Sequence, residues 1–130
     1  MSLSRPSPRQ IKTRDDAFRL FAGLARGRQE AFGVAFLSRE RTILGLRHAW
    51  GREDSVVVPL VRIARDALLL AARAVLIAHS HPDGDTCPSV ADLALTRRLS
   101  QGLGALDVVL LDHLIVTSAK IVSLREQGLL

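Results

Sequence analysis

The most constraining feature of this chain is a short apolar run, Ala74 to Ala78, that passes directly into His79-Ser80-His81 and then into a segment punctuated by Pro82, Gly84 and Pro88. The run is far too short for a helix of ordinary length and suits a buried strand, and the Gly/Pro segment that follows is a loop. Beyond the loop, Ser89 and Asp92 form an S-x-x-D helix start, and Ser89 to Gln101 reads as a helix with Gly102 and Gly104 placed to end it. A strand, a loop and a helix in that order set two imidazoles at a strand end and a carboxylate in the first turn of the helix.

The rest of the chain alternates in the same way. Residues 1–12 are rich in Ser, Pro and Arg and suit a flexible basic leader. From Arg14, the residues Ala17, Phe18, Leu20, Phe21 and Leu24 recur at helical spacing, with Asp15 and Asp16 in the first turn and Gly27 as the stop. Ala31–Leu37 is a buried strand and Arg41–Trp50 its hairpin partner across a turn at Ser38–Glu40. Val56–Val58 is a short extended piece, and Pro59–Ala72 a helix with Leu60, Ile63, Ala64, Ala67, Leu68 and Ala71 on one stripe. Leu106–Leu111 and Leu114–Val116 are two further strands, and Ser123–Gln127 is a short helix closed by Gly128. The expected architecture is one α/β layered domain over residues 13–130, a central mixed sheet flanked by helices. At 130 residues, 48% of them hydrophobic, the chain has room for one apolar core and not for two.

Charge and cysteine content narrow the function classes. The net charge of +5 lies wholly in residues 1–28, where seven basic groups face Asp15 and Asp16, while residues 29–130 balance to zero. Placed there, the charge reads as a solvated arm and helix face, with binding of DNA phosphates by the arm left open. The single cysteine, Cys87, excludes an internal disulfide and a four-cysteine zinc site. The apolar stretches fall well short of the roughly 20 residues of a membrane span. With no apolar signal sequence at the start, the expected location is the cytoplasm.

His79 and His81, two apart in extended geometry, leave the same face of a strand and can converge on one ion, and neutral imidazole suits zinc. Asp92, brought back by the loop, supplies a third ligand. Three protein ligands leave a coordination position open, the mark of a catalytic zinc site, where the pKa of bound water falls to about 7. The plainer reading is that Ser89 and Asp92 only cap the helix; capping and function can coexist. Asp83 and Asp85 read as turn formers. Such chemistry also needs a proton acceptor outside the ligand set. Glu30, immediately before a buried strand, is the candidate, with Glu40 and Glu53 as alternatives. A nucleoside deaminase would require H-x-E and P-C-x-x-C, which the chain lacks. Cys87, close to the loop, is a conceivable fourth ligand.

The spacing His79, His81, Ser89, Asp92 resembles the JAMM signature of zinc-dependent deubiquitinases and their prokaryotic relatives. More narrowly, His79 to Asp85, Pro88-Ser89, Asp112 to Val116 and the ending Ser123 to Leu130 resemble the C-terminal domain of the RadC family, a likeness covering residues 15–130. The resemblance implies an MPN-type fold and zinc held by His79, His81 and Asp92. It also implies hydrolysis of an amide or isopeptide bond in a peptide substrate, with Glu30 as general base and Ser89 as oxyanion donor. Ser80, Asp83 and Thr86-Cys87 depart from the common RadC pattern without removing a ligand. RadC-like proteins also carry a helix-hairpin-helix region of the DNA-binding kind before this domain, and here a short basic arm stands there instead. The alternative to a hydrolase is a non-catalytic DNA-repair or partner-binding domain with a structural zinc site.

Overall fold

A computed structural model describes residues 9–51 and 60–130. The elements are α1 (Arg14–Phe21), running into a 3-10 turn at Ala22–Arg26, β1 (Glu30–Leu37), β2 (Ile43–Gly51), α2 (Leu60–Leu69), β3 (Ala74–Ser80), α3 (Val90–Gly104), β4 (Val109–Val116) and β5 (Ile121–Ser123). The strands form one sheet in the order β2-β1-β3-β4-β5. Only β3 and β4 run parallel; the other neighbours are antiparallel, so the sheet is mixed as expected.

Both faces of the sheet are covered, which is why β1 and β3 read as unbroken apolar runs rather than alternating ones. Alternate residues serve the two faces. Ala31, Ala35, Leu76 and Ala78 pack with Ile11, Ala17, Phe21 and Leu24 on the α1 side. Phe32, Val34, Phe36, Val75 and Ile77 pack with Ile63, Ala67, Leu99 and Leu103 from α2 and α3 on the other. Gly33, in the middle of β1, lets the Phe21 ring lie against the strand: a Cβ there would stand 2.6 Å from Phe21 Cε1. Phe21 is fully buried, so Gly33→Ala is expected to cost about 1–3 kcal/mol through overpacking. Urea unfolding should show a lower midpoint at unchanged slope; an unchanged midpoint would show that the ring shifts freely.

Several expectations from the sequence are corrected. The leader ends earlier than residue 12: Gln10 bridges Thr42, the Ile11 N–H donates to the Arg41 carbonyl, and Ile11 joins the core. Residues 1–8 and the extended piece Val56–Val58 lie outside the described residues. The helix expected over Pro59–Ala72 spans Leu60–Leu69 and closes through Ala71 at φ 52°. Helix α3 runs through Gly102 to Gly104 instead of stopping at Gln101. Gly102 serves a close helix approach, since a Cβ there would meet Leu60 Cδ2 at 2.9 Å.

The two strands expected at Leu106–Leu111 and Leu114–Val116 are one strand, β4, with Asp112 and His113 inside it. The register shows why the pattern misled: Val75 faces Leu110 but Leu76 faces Asp112, so Leu111 is an extra residue, a β-bulge. Before the bulge Leu110 points to the α2/α3 side; after it, His113 does, beside Ile77. The tail expected as a helix at Ser123–Gln127 is the end of β5 and a series of turns. Its residues hold the bulge. The Ser123 hydroxyl donates to Asp112 Oδ2, the Arg125 N–H donates to Asp112 Oδ1 at 3.1 Å, and the Arg125 guanidinium donates to the Leu110 and Leu111 carbonyls.

Candidate metal centre

Three chain ends meet at one edge of the fold: the start of β1, the end of β3 and the first turn of α3. β3 carries His79 and, one residue past its end, His81; their rings stand edge to face with centroids 4.7 Å apart. Glu30 opens β1, two residues before Phe32, the partner of His79, and its Oε1 lies 2.6 Å from His79 Nε2. The Ser80 hydroxyl, fully buried, accepts the Ala31 N–H at 2.8 Å and so pins the strand start that presents Glu30. Sequence reading gave Ser80 no such part.

Asp92 arrives from the helix. The Ser89 hydroxyl accepts the Asp92 N–H at 3.0 Å and the Asp92 carboxylate accepts the Ser89 N–H at 2.9 Å, a complete capping box. The plainer reading of these residues is therefore real, and it does not exhaust them. Asp92 Oδ1 lies 3.2 Å from His79 Nδ1 and Oδ2 lies 3.1 Å from His81 Nε2, one carboxylate spanning both imidazoles. Burial alone would raise the Asp92 pKa. The Ser89 backbone N–H, the nearby His79, the Ser89 hydroxyl and His81 more than offset that, leaving it below the ordinary carboxylate value.

The loop works as its composition suggests. Asp83 Oδ1 accepts the Asp85 N–H at 3.0 Å and Asp85 Oδ1 accepts the Cys87 N–H at 2.9 Å, successive Asx turns. The Asp85 carbonyl in turn lies 2.6 Å from His81 Nδ1. A carbonyl only accepts, so His81 Nδ1 carries a proton, and in the neutral ring Nε2 turns its lone pair toward Asp92. His79 Nδ1 is buried and has no hydrogen-bond partner among the described residues, despite the nearby Asp92 oxygen.

With both rings neutral, lone pairs and carboxylate oxygens converge with fewer protons between them than their number demands. A cation at their centre resolves this, and two imidazoles with carboxylates are a donor set that suits zinc. Ligand atoms of Glu30, His79 and His81 lie within 4.8 Å of one another, and Asp92 adds its two close approaches. Cys87 is exposed and stands outside this group, and Glu40 is exposed in the β1–β2 turn. Glu53, the other alternative acid, lies outside the described residues. Ser89 is exposed at the helix start.

One residue of the centre was missed. His113 of β4 is completely buried, its ring centroid 5.9 Å from that of His79. Nδ1 lies 2.5 Å from the Thr96 hydroxyl, and Nε2 is buried without a partner among the described residues. Burial, with His79 nearby and opposed only in part by Asp92, lowers its pKa to about 3, so the ring is neutral. The available sequence signal was an isolated histidine inside an apolar strand.

The profile of the RadC-like JAB domain matches residues 11–129, nearly the whole chain. The chain belongs to the RadC-like JAB domain family. Curated relatives agree. A UPF0758 protein of Acidithiobacillus ferrooxidans is 44% identical over 101 residues, covering 77% of this chain and 45% of that protein. One from Halorhodospira halophila is 43% identical, covering 78% and 46%, and one from Xanthomonas campestris is 41% identical, covering 85% and 50%. The chain thus spans about half the length of these relatives. The JAB-type layered fold and a possible metal site are what this membership and the geometry share. Among the described residues, no helix is long and apolar enough to cross a membrane.

Proposed function

We propose that this RadC-like JAB domain is a zinc-dependent hydrolase that cleaves an amide or isopeptide bond in a peptide substrate. The observation that carries the reading is the Asp92 carboxylate set across His79 and His81, with the His81 proton committed to the Asp85 carbonyl. His79, His81 and Asp92 hold the ion. Glu30 stays outside the ligand set, because its close contact, at 2.6 Å, is with the single nitrogen His79 Nε2, whereas Asp92 spans both imidazoles, and because it keeps 22% of its side chain exposed against 8% for Asp92. A zinc ion held there would lower the pKa of water toward neutrality and polarise the scissile carbonyl.

The remaining work falls to side chains. Glu30 takes a proton from the attacking water and returns it to the departing amine. The Ser89 oxygen already accepts the Asp92 N–H, which leaves its own proton free to donate to the carbonyl oxygen as negative charge grows there. Such a preorganised donor contributes roughly 3 kcal/mol to the transition state. The partner is thus a peptide or isopeptide chain; the whole protein's substrate, like its location in the cytoplasm, belongs to this proposal.

The direct test is elemental analysis of the purified protein beside Asp92→Ala. One zinc per chain, lost in the variant, supports the hydrolase reading. No metal after incubation with zinc overturns it and favours a binding module on the same scaffold.

A further inference from the structure

We infer that His113 is a positioning residue for the metal centre, locking α3 to the sheet so that Asp92 meets His79 and His81 in register. This inference rests on the zinc reading above. Asp92 reaches the centre from α3, whereas both histidines reach it from β3, so the geometry depends on how the helix sits against the sheet. The contacts that hold α3 there include Leu99 and Leu103, apolar packing that resists separation but specifies axial position weakly. At the level of the site the tie is polar and directional. The Thr96 hydroxyl donates to the Asp92 carbonyl at 2.8 Å, and having one proton it must accept from His113 Nδ1–H at 2.5 Å. His113 stands on β4, which runs parallel beside β3, with His113 paired to Ile77, two residues before His79. A chain of two hydrogen bonds thus joins the strand layer that carries one set of ligands to the backbone of the residue that carries the other.

Two further observations separate this from ordinary core packing. His113 Nε2 is buried with no partner among the described residues, and leaving such an atom without its hydrogen bond is destabilising. Leucine would fill the place without that penalty. The bulge at Leu111 turns His113 to this face, and Asp112, Ser123 and Arg125 hold the bulge. A strand irregularity with its own hydrogen-bond scaffold places a side chain that stability alone would not select.

The test compares zinc affinity, by competition with a chromophoric chelator, against thermal stability of the EDTA-treated protein. His113→Leu removes the donor and keeps the volume. Zinc binding should weaken 10- to 100-fold, the usual effect of losing a group that orients a ligand, while the metal-free melting temperature equals or exceeds that of the parent. His113→Asn keeps an N–H near the Nδ1 position but leaves a void: affinity should stay within about threefold of the parent as metal-free stability falls. Thr96→Val, which keeps His113 and its packing, should lose affinity like His113→Leu, and combining the two should add little. Parent-like affinity in Thr96→Val and His113→Leu, or affinity that falls only in step with metal-free stability, overturns the inference. If His113→Leu does not fold, Thr96→Val and His113→Asn decide it. A parent chain that binds no zinc would instead bring down the function proposed above, and this inference with it.

Discussion

Glu30→Gln is expected to lower amide hydrolysis by roughly two to four orders of magnitude, the usual worth of a positioned general base, while zinc stays bound with parent affinity. Glutamine keeps the size of the side chain and can still meet His79 Nε2, but it cannot take a proton from water. The measurement is a pair: turnover of an amide-linked peptide substrate and zinc content on the same preparation. Full activity would remove Glu30 from the mechanism. Loss of zinc together with activity would move Glu30 into the ligand set, an arrangement consistent with the close grouping of Glu30, His79 and His81. That outcome would leave Asp92 to orient the imidazoles, so the variant distinguishes two chemistries for one constellation.

The second large effect is on stability against acid. His113 titrates near 6.5 when exposed and at about 3 in the fold. Between those values the unfolded chain binds a proton that the folded chain refuses, so stability is fully present above about pH 6.5 and falls as pH drops toward 3. At about 1.4 kcal/mol per pH unit, the whole window is worth on the order of 5 kcal/mol. Urea unfolding of the EDTA-treated protein at pH 7 and pH 5 should show the parent losing about 2 kcal/mol more than His113→Leu. Effects of carboxylates common to both proteins cancel in that difference. Equal losses would mean that His113 takes up its proton in the folded state.

The ligand candidates were legible because their signals are local. His79 and His81 share a strand face, and Ser89 and Asp92 share a helix start; both patterns fit within a few residues and a single backbone geometry. The buried strands and their hairpin were legible for the same reason. What failed depends on partners distant in sequence. Gly102 reads as a stop until Leu60 is brought against it, and Ile11 reads as leader until the β1–β2 turn supplies its hydrogen bonds. Ser123–Gln127 reads as helical until Asp112 captures Ser123 and Arg125. His113 was illegible because strand periodicity, continued from Leu110, assigns it to the wrong side of the sheet.

That last error shows what the extra residue at Leu111 encodes. A pleated strand is a two-state code for sidedness, and one inserted residue inverts every symbol after it. Anyone moving this centre into another sheet by copying Glu30, His79, His81, Asp92 and His113 would set the last of these on the opposite face. The unit to be transplanted includes a residue that touches none of the chemistry, together with the arginine whose guanidinium occupies the carbonyls at the step.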